Sequence, residues 1–537
     1  MGAITTCFYE LLADTLRTHS DKTAIIDPGR SVTYAELEGE AVNFAAQLHA
    51  AGIGAGDRVV IQLRKSIAEV AAMFGVARLG AVIVNVHAQW TAEQLLNVVK
   101  DCGAVAIIVE PSMARRLRSA HISESVRRVV VAGPAPESPR FQSSTTAAHC
   151  SALPSASPLD SDLAMLIYTS GSTGGPKGVM LSHRNLLAGA RSVARYLELG
   201  GDDRLLSVLP YCFDYGLNQL TTMMLLGGTV IHQPVPMPAE IIATAARHGA
   251  TGLAAVPPLW GQIVRLQQDS PTILPALRRI TNSGGSIAQN ILEQMPAAFP
   301  GTKIYLMYGL TEAFRSTYLP PADFMLKMGS IGRAIPGAEI HVIKHGIGPA
   351  GRGEQGELVH RGPLVSMGYW GLSEKSRERI RPCPELNGVI GDEPVVYSGD
   401  TVRIDEDGYL WFVGRTDALI KTQGFRVSPD EVEDLLCRSG LVADAVAFGV
   451  EDSERGQAIH AAIAPLPDFS ERALRDHCRA IMPGYMQPVR FHIWTDPMPR
   501  TASGKLARTD VVRNCTAEAV PHDQTQPSSI DGGASCP

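Results

Sequence analysis

The chain has 537 residues, 45% of them hydrophobic, and a formal net charge of −6. This length predicts two or three domains, and the acidic balance gives no general electrostatic basis for binding nucleic acid. The sequence contains no run of 18 uncharged apolar residues, so no membrane span is predicted. Nine cysteines without CxxC pairs or metal-ligand spacing indicate a reducing compartment. Because no secretory leader is recognised either, we expect a cytoplasmic protein.

The first 150 residues alternate between helical and strand patterns. Helices are predicted over 8–19, 35–51, 66–79 and 93–102. Strands are predicted over 23–26, 31–34, 59–63, 81–85 and 104–109, the first two as a hairpin. This alternation is typical of a parallel sheet with helices on both faces. Residues 132–158, rich in Pro, Ser, Ala and Thr, predict a surface loop.

A glycine-rich stretch follows a predicted buried strand over 163–167. It reads Tyr168-Thr169-Ser170-Gly171-Ser172-Thr173-Gly174-Gly175-Pro176-Lys177-Gly178. Glycines allow backbone N–H groups to approach an anion closely, hydroxyls add donors, and the lysine adds a positive charge. The spacing is neither that of Walker A nor that of a Rossmann turn. The stretch therefore predicts a polyphosphate-binding loop of another kind.

The middle third repeats the alternation and adds two motifs. Strands are predicted over 204–209, 229–232 and 252–256, and helices over 217–226 and 239–248. A strand beginning at Arg279 ends in the tight turn Ser283-Gly284-Gly285. Another strand runs into Tyr308-Gly309-Leu310-Thr311-Glu312. Its aromatic ring can stack on adenine, and its carboxylate can hold Mg²⁺.

The C-terminal part predicts a small α+β domain. Its helices are expected over 431–438 and 472–481, and its strands over 442–450 and 459–463. Before it stand Tyr397-Ser398-Gly399-Asp400, a turn and strand over 405–413, and a charged stretch from Gly414 to Glu433. Near its end, Lys505 lies on a Gly/Ser loop. We predict domains over 1–414 and 415–515, and a disordered tail over 516–537.

In their order along the chain, these motifs resemble those of the adenylate-forming superfamily. That superfamily includes acyl-CoA synthetases, adenylation domains of peptide synthetases, and luciferases. The resemblance implies an α/β fold with a large N-terminal domain of mixed sheets with helices on both faces. It also implies a small, mobile α+β C-terminal domain, and binding of ATP and Mg²⁺.

The resemblance assigns roles to single residues. It implies nucleotide contacts from Thr169, Ser170, Gly171, Ser172, Thr173, Gly174, Lys177, Gly284, Tyr308, Thr311, Asp400 and Arg415. In this set Tyr308 would stack on adenine, Thr311 would bond the α-phosphate, and Asp400 and Arg415 would contact the ribose. Glu312 would hold Mg²⁺, and the catalytic set would be Lys505, Thr311, Glu312 and Lys177. Asp417 would be the hinge between the domains, and Gly424 would lie where the thiol enters.

The acid-binding side carries a less specific signal. We expect its lining to include Phe213, Asp214, Trp260, Ser283, Gly284 and Gly309. Many acyl-CoA synthetases resemble Pro-Leu-Phe-His-x-x-Gly where this chain has Pro210-Tyr211-Cys212-Phe213-Asp214-Tyr215-Gly216. A Phe-Asp pair near this place resembles one in amino-acid-activating relatives, whose aspartate meets the substrate ammonium. Two interpretations of Asp214 stay open: it binds a substrate amino group, or it bonds a neighbouring backbone or side-chain group.

The resemblance implies a two-step reaction. A small carboxylic acid reacts with ATP to give an acyl-adenylate and pyrophosphate, and a thiol then displaces AMP. No carrier-protein domain is recognised after residue 514, so the expected acceptor is CoA or the phosphopantetheine of a separate acyl or peptidyl carrier protein. The leading interpretation is an AMP-forming acyl-CoA synthetase.

Two other interpretations remain. One is a stand-alone adenylation enzyme that loads an amino or aryl acid onto a separate carrier protein. The other, a catalytically inactive relative, is disfavoured by the presence of Lys177, Glu312 and Lys505. For an active enzyme, the resemblance further implies that the small domain rotates about Asp417 between the two steps, so that Lys505 withdraws before the thiol arrives.

Overall fold

The structure, a computed structural model, describes residues 5–145, 153–154, 156–170, 176–415, 420–422, 425–452, 455–482, 484–501 and 504–517. The chain divides into two compact units. The first comprises Met1–Leu419 with Ala502–Lys505, and the second comprises Ile420–Thr501 with Leu506–Pro537. The predicted class, a large N-terminal α/β domain and a smaller C-terminal α+β domain, is confirmed. The exact boundary at residue 415 stays a prediction.

The described helices are distributed over both units. In the first unit they are α1 (Glu10–His19), α2 (Tyr34–Ala50), α3 (Ile67–Arg78), α4 (Ala92–Asp101), α5 (Pro111–Arg118), α6 (His183–Tyr196), α7 (Asp214–Leu226), α8 (Pro238–His248), α9 (Pro257–Asp269), α10 (Gln289–Ala298), α11 (Ser373–Arg379) and α12 (Asn387–Ile390). In the second unit they are α13 (Pro429–Cys437), α14 (Glu471–Ile481) and α15 (Arg508–Ala517). Short 3₁₀ turns cover Pro321–Asp323, Pro384–Leu386 and Gly484–Met486.

The described strands form four sheets. Those up to the middle of the chain are β1 (Thr23–Ile26), β2 (Ser31–Thr33), β3 (Arg58–Gln62), β4 (Val82–Asn85), β5 (Ala106–Val109), β6 (Arg128–Val131), β7 (Phe141–Ser143), β8 (Leu163–Ser170), β9 (Pro176–Ser182), β10 (Arg204–Ser207), β11 (Thr229–His232), β12 (Gly252–Ala255), β13 (Arg279–Asn282), β14 (Lys303–Tyr308), β15 (Thr317–Leu319) and β16 (Arg333–Ala334). The others are β17 (Glu339–Lys344), β18 (Gly348–Pro349), β19 (Gln355–Arg361), β20 (Ile380–Pro382), β21 (Pro394–Ile404), β22 (Leu410–Arg415), β23 (Ile420–Thr422), β24 (Phe425–Val427), β25 (Val442–Asp452), β26 (Gly456–Pro465) and β27 (Arg490–Ile493).

Two mostly parallel sheets form the body of the first unit. One has the order β16-β15-β14-β13-β12-β10-β11-β1-β2, and the other has the order β7-β6-β5-β3-β4-β8-β9. A continuous buried core includes side chains of both sheets together with those of α2 and α3. These helices approach closely: a Cβ on Gly75 would lie 2.6 Å from the Ala41 carbonyl oxygen. Glycine is therefore required at that crossing.

A third sheet of the first unit and the sheet of the second unit are largely antiparallel. The third has the order β18-β17-β19-β21-β20, with β22 beside β21. In the second unit the order is β24-β23-β26-β25, with β27 parallel to β26. Apolar side chains from α13, α14 and this sheet form a separate core around Val432, Leu474 and Ile463.

Local signals in the sequence explain several helix ends. Thr33 and Glu36 form a capping box at the start of α2, and Thr91 and Gln94 form another at the start of α4. Helix α7 ends at Gly227, which adopts a φ of 68°. Since the Thr33 side chain accepts the Glu36 N–H, the predicted strand over 31–34 ends one residue earlier.

The structure differs from the sequence-based predictions at the loop over 132–158 and at the start of the C-terminal tail. The surface loop predicted over 132–158 is wrong in part, because β7 pairs in parallel with β6 through Val129↔Phe141 and its neighbours. The disordered tail predicted over 516–537 is wrong at its first two residues, since α15 continues to Ala517, and residues 518–537 lie outside the described part. Within the described residues, none of the helices combines the length and apolar character that a membrane crossing requires.

Candidate active site

Four neighbouring parallel strands of the nine-stranded sheet end at one edge. Their order there is β10-β12-β13-β14, and all three pairings are parallel. Because the carboxyl ends of parallel strands meet at the same edge, the segments that follow them lie close together. These segments carry Phe213 and Asp214 after β10, Trp260 after β12, Ser283 and Gly284 after β13, and Gly309, Thr311 and Glu312 after β14. Ligands of open α/β sheets bind at such an edge.

The predicted phosphate loop connects the two strands of a hairpin. Strands β8 and β9 pair so that Thr169 stands opposite Lys177. The hairpin is held near its loop end by the Tyr168 hydroxyl, which donates to Asp101 Oδ2 over 2.5 Å. The predicted contacts Gly171, Ser172, Thr173 and Gly174, and the side chain of Ser170, lie outside the described residues.

Tyr369 connects the lysine of the hairpin to the carboxylate after β14. Its hydroxyl donates to Glu312 Oε1 over 2.5 Å, and Lys177 Nζ lies 5.6 Å from the centre of its ring. The backbone beside it is bonded to β9, since the N–H of Trp370 donates to the Gly178 carbonyl. Burial raises the pKa of Tyr369, and the nearby Glu312 carboxylate raises it further, so the hydroxyl keeps its proton.

A second group of side chains joins β14 to the third sheet. The Tyr308 hydroxyl donates to Asp400 Oδ2 over 2.5 Å, and Arg415 Nη1 lies 3.8 Å from Asp400 Oδ1. Burial and the adjacent Asp400 carboxylate raise the pKa of Tyr308. The turn before Asp400 needs glycine, because Gly399 has a φ of 71° and its N–H donates to Glu357. The structure thus brings together three residues predicted to contact adenine and ribose.

The glycine turn after β13 lies against the loop of Lys505. Gly284 has a φ of 86°, and a Cβ there would stand 3.7 Å from Lys505 Cε, in the same compact unit. On the other strand, a Cβ on Gly309 would stand 3.1 Å from the Arg315 Cα. Ser283 is buried. Side chains at these two glycines would fill the space beside the strand ends.

The remaining acid-side residues are in varied surroundings. Asp214 is the first residue of α7, and its Oδ1 accepts the backbone N–H of Tyr215 over 2.8 Å. Phe213 lies 6.0 Å from His87, ring centre to ring centre. Trp260 is fully buried and donates through Nε1 to the Thr281 carbonyl. Asp214 therefore makes the bond to a neighbouring backbone group that one of the two interpretations expects. Its Oδ2 is the atom to which a substrate ammonium group would bind in the other interpretation.

The donor set suits a magnesium–nucleotide complex. Mg²⁺ prefers oxygen ligands and usually takes one or two carboxylates together with substrate phosphates. In the described ranges, no cluster of three or more His, Cys, Asp or Glu side chains could hold a metal ion by itself. A single carboxylate, Glu312, next in sequence to the hydroxyl of Thr311, fits that pattern. The predicted hinge Asp417 and the predicted thiol-path residue Gly424 lie outside the described residues.

Sequence reasoning missed Tyr369. It comes from a segment between the third sheet and α11, and its hydroxyl reaches a carboxylate 57 positions earlier in the chain. The short Gly368-Tyr369-Trp370 stretch has no charge pattern or spacing that signals a site. Only the backbone bonds between this segment and β9 reveal its place.

Comparisons with known proteins agree with this geometry. The family model described as AMP-binding enzyme matches residues 12–370, and the model of its C-terminal domain matches residues 431–505. A long-chain-fatty-acid–CoA ligase of Salmonella typhimurium is 27% identical over 94% of this chain and 93% of its own length. Phosphinothricin tripeptide synthetase PhsC of Streptomyces viridochromogenes is 30% identical over 93% of this chain, which matches 44% of that protein.

A solved structure also has this fold. The o-succinylbenzoate CoA synthetase MenE of Bacillus subtilis is 25% identical, with a TM-score of 0.81. Its complex with an acyl-adenylate intermediate covers 93% of this chain and 97% of the MenE chain. Its complex with ATP and magnesium covers 94% and 99%.

Proposed function

Because the chain belongs to the AMP-binding enzyme family, and is an AMP-forming acid–thiol ligase, we propose that the side chains at the carboxyl edge of its nine-stranded sheet carry out acid activation. The reaction joins a carboxylate to the α-phosphorus of ATP, with release of pyrophosphate, and then passes the acyl group to a thiol with release of AMP. The observation that carries the assignment of residues is the presence of two side-chain groups around β14, each with one hydrogen bond between a tyrosine and a carboxylate and with a cation nearby. These are Glu312 with Tyr369 and Lys177, and Tyr308 with Asp400 and Arg415.

The two groups suit the two ends of a nucleotide. We assign Tyr308 to stacking on adenine and Asp400 with Arg415 to the ribose hydroxyls. A carboxylate accepts hydrogen bonds from hydroxyl groups, and a guanidinium can donate hydrogen bonds to the same ligand. On the phosphate side we assign Thr169, Lys177 and Thr311, together with residues 170–174. Held by Glu312, Mg²⁺ would neutralise charge on the phosphate oxygens.

Catalysis of the first step rests on positioning and positive charge. A carboxylate oxygen must approach the α-phosphorus in line with the departing pyrophosphate, and negative charge grows on the phosphate oxygens. Lys177 and Lys505 can stabilise that charge, since a fixed cation in a site without bulk water costs no reorganisation during the reaction. Lys505 lies beside the Gly284 turn, where it can reach a phosphate bound at the strand ends.

The second step requires room for a thiol. We propose that Lys505 then withdraws through rotation about Asp417, and that the thiol reaches the carbonyl carbon past Gly424. The acceptor is CoA or the phosphopantetheine of a separate carrier protein. A second candidate function, a stand-alone adenylation enzyme for an amino acid, is favoured by Asp214, whose Phe213-Asp214 pair opens α7 at the edge of the site. Location in the cytoplasm stays a prediction.

Separate measurement of the two steps tests the proposal. Lys505→Ala should lower acid-dependent pyrophosphate exchange about 10²–10³-fold, and should still convert a chemically made acyl-adenylate and a thiol to the thioester. Lys100→Ala removes an exposed lysine of α4 and should leave both steps unchanged. ADP as the stoichiometric product would overturn the ligase mechanism. Equal loss of both steps in a folded Lys505 variant would overturn the withdrawal of Lys505.

A further inference from the structure

Arg315 follows the Mg²⁺-site residue Glu312 by three positions and is almost completely buried, with 2% of its surface exposed. The residue before it, Phe314, has a φ of 54°, a backbone conformation that is costly for a residue other than glycine. The Phe314 ring is fully buried against Gly189 of α6. This packing holds the turn after β14 in a conformation that leaves Arg315 on the interior side.

Among the described residues, the charge of Arg315 has no carboxylate counterpart. In the part of the chain that the structure describes, its guanidinium forms no ion pair and no hydrogen bond, and its Nε is buried without a partner. The guanidinium carbon instead lies 4.7 Å from the centre of the Tyr215 ring. A cation–π contact contributes far less than the cost of burying an unpaired charge. Compensation of this charge therefore falls to a group from outside the chain, either a buried water molecule or an anion.

A second buried arginine nearby shows the alternative arrangement. Arg279, at the start of β13, donates to Asp203 Oδ1 over 2.6 Å and to the Glu198 carbonyl. Asp203 is itself buried. The two arginines line the same cavity, yet only Arg279 has a carboxylate beside it. The difference indicates that the partner of the Arg315 guanidinium is a bound molecule and not another side chain.

The cavity beside Arg315 adjoins the acid side of the proposed site. It is lined among others by Tyr215, Asn218, Gln219, Thr281 and Met307. Tyr215 follows Asp214, and Thr281 lies two residues before Ser283. Its volume is about 20 Å³, room for a group of the size of a water molecule. One oxygen of an anionic group fits this volume, and the planar carboxylate is smaller than a tetrahedral phosphate or sulfate group.

We propose that the acid activated by this enzyme carries a second carboxylate, and that Arg315 binds it. This inference rests on the proposed function, because it identifies the class of acid bound at the same site. The first carboxylate faces the α-phosphate at the strand ends, and the second reaches the interior beside Arg315. Arg315 is then a specificity-determining residue: a monocarboxylic acid of the same length leaves the buried charge unpaired and is rejected.

The test compares acids that differ only in the second carboxylate. Pyrophosphate exchange and AMP release are measured with succinate against butyrate, glutarate against pentanoate, adipate against hexanoate, and aspartate against 2-aminobutyrate. The wild-type enzyme should prefer the dicarboxylic member of at least one pair. Arg315→Met should lower kcat/KM for that acid about tenfold to hundredfold and should raise the value for its monocarboxylic partner. Arg315→Gln, which keeps polar atoms at the position, should shift preference in the same direction.

A thermal measurement gives an answer that does not depend on turnover. Without acid, Arg315→Met should raise Tm because it removes an unpaired buried charge. The control Arg279→Met should lower Tm because it removes the buried arginine that pairs with the Asp203 carboxylate. Dicarboxylates should raise the Tm of the wild type and not that of Arg315→Met. A lower Tm for both Arg315 variants without acid would overturn the proposal, as would wild-type preference for the monocarboxylate in every pair. In the latter case AMP formation would still support the proposed function, and only ADP formation would reject it.

Discussion

The nucleotide side and the acid side of the site differ in how their charges are compensated. On the nucleotide side, side chains of the site hold one another: Glu312 accepts from Tyr369, and Asp400 accepts from Tyr308. On the acid side, Asp214 accepts a backbone N–H and Arg315 lies against an aromatic ring, and within the described residues neither side chain has an oppositely charged partner. The contrast indicates that the protein positions in advance the groups that meet the common ligand, ATP. The charged groups on the acid side, in contrast, would be compensated only when the acid binds.

The largest effect should come from the carboxylate of the nucleotide side. Glu312→Gln keeps the shape of the side chain and the bond from Tyr369 but removes the charge that we propose holds Mg²⁺. We expect pyrophosphate exchange to fall about 10²–10³-fold, and the Mg²⁺ concentration for half-maximal rate to rise. Glu93→Gln, an exposed position on α4, is the matched control. An unchanged Mg²⁺ dependence in the Glu312 variant would place the metal elsewhere.

The acid side should show substrate-dependent effects instead. If Asp214 pairs with a substrate ammonium group, Asp214→Asn should raise KM about tenfold to hundredfold for an amino acid, and should leave KM for ATP and for acids without an amino group unchanged. The asparagine can still accept the Tyr215 N–H, so the start of α7 stays intact. An equal change for both kinds of acid would show that Asp214 acts only as part of the helix end. Asp214 would then no longer support the difference between the acid side and the nucleotide side.

The same contrast explains what the sequence can predict. The nucleotide side is built from short contiguous motifs at strand ends, so the order of residues along the chain is enough to identify Tyr308, Glu312 and Asp400 as candidates. The same local patterns predict the strand before the phosphate loop, the parallel sheets and the second unit, with element ends displaced by up to three residues. Capping accounts for part of that displacement, because residues such as Thr33 end one element and begin the next.

Other features depend on contacts that a linear reading does not show. Tyr369 gains its place from bonds to β9, far away in the chain. In the described part of the chain, Arg279 has a carboxylate beside it and Arg315 has none, a difference that no spacing in the sequence reveals. Strand β7 was missed because three residues in a Ser- and Pro-rich segment show no alternation, and its pairing with β6 supplies what the local pattern lacks.

A smaller effect should follow from removal of the bond between Tyr369 and Glu312. Tyr369→Phe keeps the ring near Lys177 but loses the hydroxyl donor, which in a hydrogen bond to a charged group contributes about 1.5–3 kcal/mol. Since Mg²⁺ itself orients the carboxylate once bound, only part of that energy should appear. We expect a rate loss of about tenfold that high Mg²⁺ largely restores. Failure of Mg²⁺ to restore the rate would indicate that Tyr369 contacts a substrate rather than positions Glu312.

The last prediction concerns a buried network behind the acid side. His232 of β11 is fully buried; one ring nitrogen, Nδ1, lies 2.5 Å from Asp27 Oδ1 and the other, Nε2, lies 2.7 Å from the hydroxyl of Tyr211. Lys65 lies over the Tyr211 ring. Tyr211 precedes Phe213 by two residues, so this network supports the segment that carries Asp214.

Burial lowers the pKa of His232 from 6.5 to about 4, although the Asp27 carboxylate opposes the change. Between those values the unfolded chain binds a proton that the folded protein does not, so the free energy of unfolding rises with pH. The stability from this histidine is fully present above pH 6.5 and is lost as the pH falls towards 4. The contribution to the slope is at most about 1.4 kcal/mol per pH unit. His183 and His360, whose pKa values burial also lowers to about 4, add to the loss.

Replacement of His232 isolates its share of this slope. His232→Asn should lower the free energy of unfolding at pH 7.5 and should flatten its decline between pH 6.5 and 4.5, as measured by urea denaturation at each pH. The exposed His121→Asn should follow the wild-type curve. An unchanged slope in the His232 variant would mean that the ring is already protonated in the folded protein and paired with Asp27. In that event the segment of the acid side would be supported by an ion pair within the chain, as the nucleotide side is. Of the groups compared, the unpaired Arg315 would then be the main difference between the two sides.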